Sequence, residues 1–140
     1  MELDVEYIKI ILVNLKNGKI IIKNKEIKVP NNGIDNVTIN FGHKSYGKTE
    51  EEISELNKFH YHLKILIDNK FLYGHIGGSI DSYPPFKIQG LTLQGHQFLE
   101  ATENDNLLEK IKKSIKSITL GTIEKVPALA IGAILSASLK

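Results

Sequence analysis

Histidine is the side chain of this chain best suited to chemistry near neutral pH, and there are five: His43, His60, His62, His75 and His96. Spacing limits what they can do. On a helix, His60 and His62 would point about 160° apart, so they cannot grip one ion. His96 and Glu100 share a helix face, but two ligands alone do not make a metal site, and none is expected. The chain has no cysteine, which excludes thiolate nucleophiles, disulfides and sulfur-ligated metals. Serine or threonine catalysis lacks a Gly-x-Ser-x-Gly elbow. Gly74-His75-Ile76-Gly77-Gly78-Ser79 is glycine-rich, but it has no lysine and opens no helix, so a hairpin turn accounts for it better than a phosphate loop. No catalytic residue and no cofactor are assigned, and the chain is expected to be non-enzymatic.

Hydrophobic spacing gives the elements that carry these residues. Leu3 to Leu15 is predicted helical, with Asp4 as N-cap, a stripe of Val5, Ile8, Ile11, Leu12 and Leu15, and a stop at Asn17-Gly18. Ile10 and Val13 lie off that stripe, the pattern of a helix covered on two sides. Lys19 to Val29 predicts two short strands, the first built on Ile20-Ile21-Ile22. Pro30-Asn31-Asn32-Gly33 interrupts the chain, and Ile34 to Phe41 alternates as a strand.

Thr49 opens the next helix, with Glu52 completing a capping box and Glu50 and Glu51 at the positive end of the dipole. It is expected to reach Asn69, with Ile53, Leu56, His60, Leu63 and Ile67 inward and Phe59 and Leu66 beside them. Ser54, Asn57, Lys58, Tyr61, Lys64, Ile65 and Asp68 fall outward. A break near Asn57 would make it a helix-turn-helix. Phe71–Gly77 and Phe86–Gln89 read as the strands of a wing. Thr92 caps a helix to about Thr102, in which Gly95 permits close packing on the wing. Asn104 to Ser117 is an amphipathic helix with Lys110, Lys112, Lys113 and Lys116 outward.

The net charge of +2 hides a strong asymmetry. Residues 1–48 carry eight lysines against five acids, residues 49–109 four against ten, and residues 110–140 six against one. The wing region is therefore acidic between basic flanks. Arginine, the residue best suited to bidentate guanine and phosphate contacts, is absent. A DNA-binding face would rest on Ser54, Asn57, Lys58, Tyr61 and Lys64 of the second helix, with Lys87 on the wing. The acids Glu50, Glu51, Glu52, Glu55 and Asp68 oppose it. The longest apolar run, Val126 to Leu139, is shorter than the roughly 20 residues of a membrane span. Its small residues Ala128, Gly132 and Ser136 recur every four positions and suit close helix contact, in the core or in a homodimer. The N-terminus is acidic rather than signal-like, and a cytoplasmic location is expected.

Taken together, the strings Tyr61-His62-Leu63-Lys64-Ile65-Leu66, Leu91-Thr92-Leu93-Gln94-Gly95-His96-Gln97-Phe98-Leu99 and Asn106-Leu107-Leu108-Glu109-Lys110-Ile111-Lys112 resemble a family of short, uncharacterised bacterial and prophage proteins, a domain of unknown function. The resemblance covers residues 50–117 and, loosely, the first helix. The family's tryptophan before the glycine is Gln94 here, and that of the next helix is Leu108. It implies a winged helix and a mobile-element setting, and no activity. It marks His62, Thr92, Gly95, His96 and Phe98 as structural positions. The expected class is α+β: a winged helix-turn-helix core in residues 1–117, a β-hairpin insertion at 19–41, and additional C-terminal helices ending in an apolar one over 118–140. The expected function is DNA-binding regulation; the alternative is an adaptor or inhibitor that binds a host protein through its acidic surface.

Overall fold

The computed structural model describes residues 3–23, 25–42, 48–78 and 82–118, with side chains to 113. The order is α1 (Val5–Lys16), β1 (Lys19–Ile22), β2 (Lys25–Lys28), β3 (Val37–Ile39), α2 (Glu50–Asp68), β4 (Leu72–Ile76), β5 (Phe86–Leu91), α3 (Leu93–Thr102) and α4 (Asp105–Ile118). The class is α+β, with four helices and two small antiparallel sheets among the described residues.

Short polar side chains start every helix by satisfying its first free N–H groups. Asp4 accepts from the N–H of Tyr7 at 3.1 Å. Thr49 accepts from Glu52 at 3.1 Å, and Thr92 from Gly95 at 3.0 Å. Asn104 accepts from Asn106 and Leu107 at 3.0 and 3.2 Å. α1 ends at Asn17, followed by Gly18 at φ +76°.

Among the described residues β1 pairs only with β2, through the register Lys19↔Lys28 to Ile22↔Lys25. The second sheet has the order β3-β5-β4. β3 is thus part of the sheet built on the β4–β5 hairpin, and among the described residues only β1 and β2 form a separate hairpin within the expected 19–41 insertion. β4 and β5 slip register between Tyr73 and Gly74. One hydrophobic cluster joins the predicted α1 stripe to Leu56, Phe59, Leu63 and Leu66 of α2, and to Phe86, Ile88, Phe98, Leu108 and Ile111. The ring of Phe98 stacks on that of Phe71 at 5.0 Å.

Three expectations need correction. α2 is one uninterrupted 19-residue helix, with no turn at Asn57. Its core face extends past the expected stripe: Ile65, expected outward, and His62 are buried along with Phe59 and Leu66, whereas Ile53, His60 and Ile67 are only half-buried. α2 packs on α1, β1 and β4 together, so its covered arc is wider than a single stripe. The strand expected over Ile34–Phe41 shrinks to β3, because the Asn32 side chain captures the N–H groups of Ile34 and Asp35, both at 2.9 Å, in a turn.

Candidate functional site

His62 is fully buried where α2 meets the start of α1. Its Nε2 accepts the backbone N–H of Asp4 at 2.9 Å, which leaves the proton on Nδ1, facing the carbonyl of Lys58 at 2.7 Å. Both nitrogens are used by a neutral imidazole, so the ring is a lock between helices and has no site left for a substrate proton. Burial pushes its pKa below the ordinary 6.5, with the Lys58 charge adding to the shift and the Lys58 carbonyl and the Asp4 charge opposing it. Tyr7 and Tyr61 pack edge-on at 4.9 and 5.1 Å. Asp4 also takes the ammonium of Lys58 at 3.1 Å, and that ammonium lies 4.5 Å from the centre of the Tyr7 ring. Burial raises the Asp4 pKa, but the Tyr7 N–H and the Lys58 contact outweigh it and hold the carboxyl below 3.8. Burial, then Glu55 and Asp4, push the Tyr7 phenol up to about 12.

The outer face of α2 gathers five of the six residues proposed for DNA. Ser54 is exposed, and Asn57 accepts the Tyr83 hydroxyl at 2.9 Å. Lys58 is held by Asp4, Tyr61 is half-buried against His62, and Lys64 pairs with Asp68 at 3.2 Å. Lys87 is exposed on β5, opposite His75. The leading end of the same helix carries Glu50, Glu51, Glu52 and Glu55. Lys23, in the hairpin turn at φ +49°, is already committed there: its ammonium meets Glu51 at 3.4 Å and its backbone N–H donates to Glu55 at 2.6 Å.

Thr92, Gly95, His96 and Phe98 lie together at the start of α3. Thr92 caps the helix and donates its hydroxyl to the Lys70 carbonyl at 2.6 Å. A Cβ on Gly95 would overlap the carbonyl oxygen of Phe71, so only glycine allows this approach. Phe98 is buried and His96 half-buried. Ala128, Gly132 and Ser136 lie outside the described residues.

Sequence reasoning missed a groove of about 440 Å³ between the β1–β2 hairpin, the chain after β3 and the first turns of α2. Its apolar surface comes from Ile22, Ile27, Phe41 and Leu56. Its polar rim is Lys23, Lys25, Asn40, Lys48, Glu52 and Glu55. The signal that could have found it is Lys25, whose register with Ile22 puts a lysine on the inward face beside Ile20 and Ile27. Among the described residues no group of three or more histidines and acids is placed to hold a metal ion, and no helix is long and apolar enough to cross a membrane.

Residues 2–121 match the model of a family described as hypothetical protein, DUF2513. No curated protein and no solved structure matches the chain.

Proposed function

The chain belongs to the DUF2513 family, and from that premise we propose a non-enzymatic binding protein on a winged-helix plan, of phage or prophage type, working in the cytoplasm. The strand order supports the plan. β3 precedes α2, the β4–β5 hairpin follows it, and β3 pairs with the returning strand β5. α2 then takes the place of a recognition helix. The single observation that selects the partner is the glutamate cluster at its leading end, Glu50, Glu51, Glu52 and Glu55, beside a lysine already paired. Recognition helices meet DNA mainly through their N-terminal residues, where these carboxylates repel phosphate. An acidic helix end suits the basic surface of a protein partner and speeds encounter with it.

Duplex DNA is the second reading. Ser54, Asn57, Lys58, Tyr61 and Lys64 lie along one face of α2, and the ion pairs holding Lys58 and Lys64 are surface pairs, each worth about 0–1 kcal/mol, that phosphate can replace. One experiment separates the two. Anisotropy of a labelled duplex is measured at about 50 and 200 mM salt, and capture from host lysate compares the chain with its Glu50→Lys, Glu51→Lys, Glu55→Lys variant. A stoichiometric partner held by the unaltered chain and lost by the variant, with no duplex bound at low salt, supports the protein reading. Salt-dependent duplex binding that the variant strengthens overturns it in favour of DNA.

A further inference from the structure

We infer that the groove between the β1–β2 hairpin and the start of α2 binds a small organic monoanion with an apolar body. Its volume of about 440 Å³ lies within the roughly 300–1,000 Å³ usual for ligand pockets. The apolar wall is pre-formed. Ile22 and Leu56 belong to the core, at 8% and 7% exposure. Phe41 is fixed by edge contacts to the rings of Phe59 and Tyr83, at 5.7 and 6.3 Å.

The polar rim decides the charge of the ligand, because most of it is already committed. Glu55 accepts the Lys23 N–H, and Glu52 faces the Thr49 hydroxyl at 3.3 Å. Lys23 pairs with Glu51, and Lys48 lies 5.9 Å from the centre of the Tyr83 ring. Asn40 accepts the Gly42 N–H at 2.9 Å. Lys25 differs from these. It sits on the inward face of the hairpin, is exposed, and lines the groove. Its side chain makes no ion pair or hydrogen bond among the described residues. An ammonium over an apolar wall offers one charge-assisted contact to a carboxylate or sulfonate, while the body of the ligand buries against Ile22, Ile27, Phe41 and Leu56.

Among the described residues no strand pairs with the outer edge of β2, and an inward lysine on such a strand also discourages pairing with other chains. That role requires no ligand, so the test must separate the two. The groove shares Glu52 and Glu55 with the acidic end of α2 invoked for the partner, but the charge of its ligand is read from Lys25, which that reading does not use.

The probe is 8-anilinonaphthalene-1-sulfonate, titrated into the folded full chain. Saturable one-to-one fluorescence enhancement is expected, reversed by dodecanoate below its micelle concentration and not by dodecyltrimethylammonium. Lys25→Glu should weaken the probe about ten-fold, the equivalent of one charge-assisted contact. Lys28→Glu, the same charge change on the opposite face of the hairpin, should alter it by less than about two-fold. Lys25→Met keeps the fold and the apolar stem, and should make the two surfactants displace equally. Absence of saturable binding, equal displacement by both surfactants from the unaltered chain, or equal effects of the two glutamate substitutions overturns the inference. Co-sedimentation with phosphatidylglycerol vesicles without displacement by dodecanoate also overturns it, in favour of a lipid surface.

Discussion

Replacing His62 by leucine removes the lock between α1 and α2 while keeping an apolar side chain of comparable bulk. Two hydrogen bonds disappear, from the Asp4 N–H at 2.9 Å and to the Lys58 carbonyl at 2.7 Å. Each contributes about 1 kcal/mol net, and a donor left without an acceptor in a part-buried position costs about a further 1–2 kcal/mol. The expected loss is about 3–4 kcal/mol, a fall in Tm on the order of 10 °C for a chain of this size. The pH dependence gives a signature that lost packing alone would not. The unfolded imidazole takes its proton around the ordinary 6.5, the folded one only at a lower pH. Between those values the unfolded state binds more protons, so the stability is fully present above pH 6.5 and drains away as pH falls through the folded value. The surrounding groups are Asp4 and Tyr7 from α1, and Lys58 and Tyr61 from α2. Asp4, with its pKa held below 3.8, is ionised at pH 6.5, where the loss begins. Urea unfolding followed by circular dichroism at several pH values measures both effects. The unaltered chain should lose stability below pH 6.5 more steeply than His62→Leu. Parallel pH curves, or a loss under about 0.5 kcal/mol at pH 7.5, would refute the lock.

Three further outcomes follow from the packing around α3. Gly95→Ala should destabilise by about 2–3 kcal/mol through overpacking against the Phe71 carbonyl, despite the better helix propensity of alanine; a higher Tm would contradict that close approach. Thr92→Ala loses both the cap of α3 and the bond to Lys70, and should cost about 1–2 kcal/mol in chemical denaturation. Phe98→Ala empties a fully buried site stacked on Phe71 and should cost about 3–5 kcal/mol, read as a shift in urea midpoint at constant slope.

What could be read in the chain was what depends on near neighbours. Asp4, Thr49 and Thr92 announce their helices because a cap needs only the next three residues. The α1 stripe of Val5, Ile8, Ile11, Leu12 and Leu15 matches the buried set, but the second covered side expected from Ile10 is not there, since Ile10 is 56% exposed. α2 misled because it is covered from several sides, and nothing local to His60 or His62 says that the start of α1, 58 residues away, will demand an acceptor from the second. The groove was out of reach for the same reason. Its wall joins Ile22, Phe41 and Leu56, which are neighbours only after three elements have assembled. The charge asymmetry was plain in the composition, but the pairing of Lys23 with Glu51 needed the hairpin to dock on α2.

The way α1 is held has a consequence for how the chain is made. Its start is tied to His62, its middle to the Thr102 carbonyl through Lys9 at 3.2 Å, 93 residues on, and its first turn to Lys112 of the last described helix at 2.6 Å. A ribosome at about 5–20 residues per second delivers those partners on the order of 5–20 s after α1 has emerged. During that interval a 12-residue helix, marginal on its own, has only the adjoining β1–β2 hairpin to bury its apolar stripe against. α1 thus precedes most of its partners in synthesis, and its stripe is fully covered only once α3 and α4 have followed.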